Sequence, residues 1–92
     1  MNKNITEFAL DYPITTKDGR EMDHLQLHRL NVGQLQASQN ITDNTKRSMQ
    51  MLADSAHISV DDIALLDVAD YDAASEVVVS FLKRKKPSQK PS

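Results

Sequence analysis

The stretch Ile58–Leu82, ISVDDIALLDVADYDAASEVVVSFL, holds the densest folding signals in the chain. Ser59-Val60-Asp61-Asp62 reads as a helix cap followed by acids in the first turn, where carboxylates meet the positive end of the helix dipole. Ile63, Leu65 and Leu66 give this short helix its buried side. Asp70 is expected to cap a final helix from about Tyr71 to Lys83 or later. Within it Ala74, Val77, Val78, Phe81 and Leu82 recur at i, i+3, i+4, i+7 and i+8, one apolar stripe. The Val77-Val78-Val79 run favours a strand locally. The longer helical period, and basic residues that complement the dipole at the far end, decide for helix.

Upstream, the pattern changes. Phe8, Leu10, Tyr12 and Ile14 alternate with Glu7, Ala9, Asp11 and Pro13, the period of a half-buried strand. Pro13 cannot donate to a ladder, which places it at an edge or a strand end. Thr16-Lys17-Asp18-Gly19-Arg20 supplies a turn, with Gly19 free to take positive φ. A return strand runs from about Glu21 to Leu30, with Leu25 and Leu27 on one face and His24, Gln26 and His28 on the other. Asn31 and Gln34 form an N-cap pair for a first helix, on which Val32 and Leu35 share a face and Gly33 costs up to about 1 kcal/mol relative to Ala. Ser38–Asn44 reads as a loop. A second helix follows from about Asp43 or Asn44 to Ala56, striped by Met49, Leu52, Ala53 and Ala56. The expected fold class is α+β: an N-terminal β-hairpin followed by three or four short α-helices and a disordered basic C-terminal tail.

Ninety-two residues suffice for one small domain, expected over residues 1–86 with a tail at 87–92. Phe8, Tyr12, Tyr71 and Phe81 are the only aromatics, so the core must be aliphatic and thin. Without cysteine there is no disulfide framework and no thiolate zinc site. No apolar run approaches the roughly 20 residues of a membrane span, and the N-terminus lacks a signal-peptide core, so the chain is expected to be cytoplasmic. Charge is divided along the chain. All 13 acidic residues precede Lys83, against six basic ones, so residues 1–82 carry −7, whereas residues 83–92 carry +5. An acidic body disfavours phosphate backbones. The tail has nothing apolar to bury.

The candidate chemistry is sparse. His24 and His28 have the i, i+4 spacing of a helical metal pair, but on a strand they stand about 13 Å apart at roughly 3.3 Å per residue. They are expected to face solvent. Asp61, Asp62, Asp67, Asp70 and Asp72 lack the spacing, the central Gly and the bidentate Glu of a calcium loop, so capping and solvation are their ordinary roles, with an acidic partner-binding surface as the other reading. No Ser sits in a glycine elbow, and two glycines cannot build a phosphate loop. No catalytic residue, cofactor or metal is therefore expected. Lys83-Arg84-Lys85-Lys86 is ordinarily a solvated helix end, with a nucleic-acid tail as the alternative. Leu52–Ala69 has the spacing of a helix-turn-helix, but lacks the turn glycine and carries Asp61, Asp62 and Asp67 where base readout wants Arg, Lys, Asn or Gln.

Several segments, taken in order, carry a family resemblance: Tyr12-Pro13-Ile14, Asp18-Gly19, Leu25-Gln26-Leu27-His28-Arg29, Val32-Gly33-Gln34-Leu35, Leu65-Leu66-Asp67, Asp70-Tyr71 and the Val77–Leu82 helix. Together they resemble the tail assembly chaperones of Mu-like and related contractile-tailed bacteriophages. The resemblance implies a non-catalytic protein of the infected host's bacterial cytoplasm that coats the tape measure protein during tail assembly. It also implies a longer form made by ribosomal frameshifting. Self-association is a further expectation, because an isolated two-stranded hairpin is marginal. Neither nucleic acid nor membrane is an expected partner. The residues proposed for partner binding are Leu25, Leu27, Leu66, Tyr71, Val78 and Phe81. The last-helix stripe can serve either as core or as client face, and core is favoured because so small a chain spares few apolar residues. The alternative function is a small helix-turn-helix-like DNA-binding regulator.

Deleting residues 87–92 is expected to leave the thermal midpoint unchanged, since they bury nothing. A large drop in the melting scan of the truncated chain would mean that the tail docks.

Overall fold

The computed structural model describes residues 5–82. Strand β1 (Ile5–Thr15) and strand β2 (Glu21–His28) form an antiparallel two-stranded sheet, and helices α1 (Val32–Gln39), α2 (Asn44–Ala56), α3 (Val60–Ile63) and α4 (Val68–Phe81) follow. The hairpin-then-helices order is the one expected. The stretch from Lys83 onward, where a helix end and a disordered tail are expected, lies outside the described residues.

The turn between the strands closes by backbone bonds between Thr16 and Arg20 and from Gly19 to the Thr16 carbonyl. Gly19 takes φ +92°, a conformation that an L side chain would strain. The Thr16 hydroxyl, itself buried, donates to Asp18 and accepts from the Arg20 amide. This contact holds the Asp18 carboxyl below its ordinary range, helped by the neighbouring Arg20.

Pairing runs regularly from Ile5↔His28 to Ala9↔His24, then resumes at Ile14↔Met22. Between those points β1 advances five residues while β2 advances two, so three extra residues bulge from β1. The bulge contains Pro13, which has no amide to leave unpaired. It also turns Tyr12 outward, 57% exposed, while Leu10 and Ile14 stay buried. Tyr12 therefore does not share the inner face with Phe8 and Leu10 as the alternation suggested. Strict period-two reading fails wherever a bulge inserts residues.

The amides of Asp11 and Tyr12, released from the ladder by the bulge, both donate to Asp70 of α4, at 3.1 and 2.9 Å. Asp70 is 3% exposed. The expected cap role of Asp70 falls instead to Asp67, whose side chain accepts from the Ala69 amide at 2.9 Å. The helix accordingly starts three residues early. Either aspartate satisfies the capping preference, and only the position of β1 selects between them. A second buried aspartate acts alike: Asp62 of α3 accepts from the Lys17 amide in the hairpin turn.

Beneath the sheet, Leu25 and Leu27 are wholly buried against Leu52, Ala53 and Ala56 of α2, Ile63, Leu66, and Ala74 and Val78 of α4. Phe8, Met22, Tyr71 and Phe81 pack around this aliphatic centre, each partly exposed. Leu65, expected to be buried, is 47% exposed, because α3 is a single turn whose inward residues are Asp62 and Ile63, followed by Leu66. In α1 the Asn31/Gln34 capping box forms as expected. Val32, however, faces solvent, and the buried residue is Ser38, whose hydroxyl donates to the Leu35 carbonyl at 2.8 Å. That internal bond lets the helix continue through Gln39, where a loop was expected.

His28 departs from its expected solvent-facing place. Its Nδ1 lies 2.9 Å from the Ser55 carbonyl, and its own carbonyl accepts from the Ser55 hydroxyl at 2.7 Å. Its ring stacks on His57 at 3.9 Å, the residue that ends α2 in the left-handed conformation. The end of β2 and the end of α2 are thus joined by reciprocal bonds.

Asp70→Ala is expected to destabilise the fold by about 2–4 kcal/mol in urea titration, since two amides lose a charged acceptor at once. Asp70→Asn should cost about half as much, because one amide oxygen remains. Asp72→Ala, two residues along and exposed, should change stability by less than about 0.5 kcal/mol. Equal stability for all three variants would remove the clamp from the account.

Candidate protein-binding surface

Of the six residues read as partner contacts, Leu25, Leu27 and Val78 lie inside the core just described, each 2% exposed or less. Phe81 is half-buried at the end of α4. The guanidinium of Arg29 sits over its ring, 5.6 Å from the centroid, and donates to its carbonyl at 2.8 Å. Leu66 and Tyr71 are brought together elsewhere, in the wall of an open cleft. The structure therefore does not join the six into one surface.

The cleft, of about 340 Å³, lies between the first half of α2 and the α3–α4 corner. Met49 forms one wall; Ile63, Ala64 and Leu66 form the floor and corner; Val68 and Tyr71 form the other wall, with Thr45 and Asp72 as its polar residues. Met49 and Tyr71 are half-buried, while Val68 is 72% exposed. Exposed Leu65 follows Ala64 in the chain. Unbranched Met side chains re-pack against varied apolar shapes, which suits a wall that meets another protein. The sequence does not single out Val68, and it places Met49 on the α2 stripe. The available signals were the one-turn length of α3 and the presence of a Val directly after a capping aspartate.

The α3–α4 side of the cleft is acidic, whereas the first half of α2 carries Lys46 and Arg47. From Ser48 to Leu82 the chain has seven acidic residues and neither Lys nor Arg. Asp62 and Asp70 are committed to hairpin amides, Asp67 caps α4, and Asp61 pairs with Lys17 at 3.1 Å across exposed surface. Among the described residues, Asp72 and Glu76 enter no ion pair. No group of three or more His, Asp or Glu side chains among the described residues could hold a metal ion. No helix among them is long and apolar enough to cross a membrane.

The helix-turn-helix spacing of Leu52–Ala69 resolves into the end of α2, the four-residue α3 and the start of α4. One turn carrying Asp61 and Asp62, with Asp62 turned inward to the hairpin, offers no recognition helix for a major groove.

A family model described as phage tail assembly chaperone proteins, E, or 41 or 14, matches residues 7–83. The chain belongs to this family. Neither the curated proteins nor the solved structures compared with it include a match. The matched segment takes in the hairpin, all four helices and the cleft of this chaperone.

Away from the cleft lining of the chaperone, His24 lies exposed on β2, with Asp23 at 2.8 Å and Glu7 at 3.5 Å. The Asp23 contact, and then the Glu7 charge, raise the His24 pKa above its ordinary value. Protonated His24 is thus favoured in the folded chain. Its contribution to stability is present below the unfolded-state pKa and fades as pH rises through the higher folded one. An NMR titration should show a raised His24 midpoint that falls back on Asp23→Asn and, to a lesser degree, on Glu7→Gln. A midpoint indifferent to both substitutions would count against this pairing.

Proposed function

We propose that this tail assembly chaperone binds the tape measure protein during tail assembly, in the cytoplasm of the infected bacterium, and catalyses no reaction. Its membership of the chaperone family carries the reading. The physical character of the surface supports it. A long helical protein with unassembled apolar surface aggregates unless that surface is covered. An open apolar cleft on an acidic, and therefore soluble, body suits transient cover. The interaction surface is carried by Leu66 and Tyr71 among the six residues read as partner contacts. Leu25, Leu27, Val78 and Phe81 contribute by supporting the fold around it.

Co-expression of the chaperone with the tape measure protein of the same phage, followed by affinity capture on the chaperone, should retain the tape measure protein and raise its soluble fraction. A tape measure protein equally soluble alone, and absent from the captured material, would overturn the reading. Gel-shift titration at low salt should show no sequence-specific DNA complex, as expected for so acidic a body. A tight, sequence-dependent shift would instead favour the regulator alternative.

A further inference from the structure

We propose that the α2/α3–α4 cleft is the docking site for an amphipathic helix with apolar residues along one face and Lys or Arg flanking them. The proposal rests on the chaperone reading only in assuming that the occupant is a protein segment. The lining and the rim each specify part of the occupant. Met49 on α2 and Val68 and Tyr71 on α4 present apolar surface above buried Leu66, and Val68 is 72% exposed. Such a trough takes the apolar stripe of a helix, which repeats every three to four residues.

The rim fixes the charge of the occupant. Asp72 lines the cleft, and Glu76 follows one turn along α4. Neither meets a cation among the described residues: the nearest basic residues in the chain's cleft-bordering elements, Lys46 and Arg47, stand on α2, where Arg47 donates to Asn44. An acidic or neutral helix would bring like charges together or leave these carboxylates without a counter-charge. A basic-flanked helix completes them. The apolar walls then supply affinity, and the rim supplies orientation and selectivity.

Designed helical peptides test this without knowledge of the natural client. Two peptides share one Leu stripe at i, i+3/i+4 and i+7 and differ only in Lys or Glu flanks. Each is titrated against the full chain by fluorescence anisotropy. The Lys-flanked peptide should bind roughly tenfold tighter than its Glu-flanked twin at low salt, with the gap narrowing as salt screens the rim. Asp72→Lys should abolish the preference. Ala64→Lys, which places a long cationic chain in the cleft from an exposed position in ordinary helical geometry, should weaken the Lys-flanked peptide at least as much. Val32→Lys on α1, outside the cleft, should leave it unchanged. Melting scans of the three variants should match the parent chain. Absence of binding by the Lys-flanked peptide, equal binding of both peptides, or equal effects of Ala64→Lys and Val32→Lys would each overturn the cleft assignment. Capture of the tape measure protein by the Ala64→Lys variant as well as by the parent would overturn the cleft and leave the chaperone role standing. Failure of the parent to capture it, with peptide selectivity intact, would overturn that role and leave the cleft.

Discussion

The Asp70 carboxylate holds the two halves of the chain in register. The bulge in β1 frees two backbone amides that no strand can satisfy, and a buried or half-buried amide without an acceptor is costly. One side chain on α4 answers both at once. This contact sets where α4 crosses β1, and so where Ala74 and Val78 meet the leucines of β2. The cleft in turn depends on that crossing, since Val68 and Tyr71 flank Asp70 on the same helix. Asp62 does the same at smaller scale for the hairpin turn. Both aspartates are polar groups buried for geometry. They add less to stability than the aliphatic packing, but they decide which packing forms.

That packing is economical. Alanines at 53, 56 and 74 bring the helices close to the sheet without long side chains, and the aromatics serve as partly exposed flanks rather than as the centre. A core of this kind buries little area per residue and leaves few apolar side chains to spare. Met49 is half-buried and Leu65 and Val68 are exposed, so part of the apolar surface the core does not use is gathered about the α3–α4 corner.

Much of the architecture was legible in the sequence, and the pattern of misses has a common cause. Local signals were read correctly: the Asp18-Gly19 turn, the Asn31/Gln34 capping box, the α2 stripe with its start at Asp43 or Asn44, and the helical period from Ala74 to Phe81. What local signals could not show was which of two equivalent groups a distant segment would recruit. Asp67 and Asp70 are interchangeable as caps until β1 is placed. Tyr12 follows the alternation until the bulge inserts residues. His28 faces solvent on an isolated hairpin and faces Ser55 and His57 once α2 docks. The same limit applies to the cleft. Leu66 and Tyr71 were among the residues expected to bind a partner. Met49 matched a core stripe, and the exposure of Val68 depends on a tertiary gap that sequence does not record.

The bulge clamp also has a temporal side. Asp11 and Asp70 are 59 positions apart, so the acceptor for the first strand leaves the ribosome long after that strand has been made. Until then a short hairpin stands alone with two free amides, and pairing across so wide a separation is slow because the intervening loop must close first. Synthesis therefore ends, rather than begins, the commitment of the N-terminal strand. The chain leaves this exposed condition only when α4 arrives.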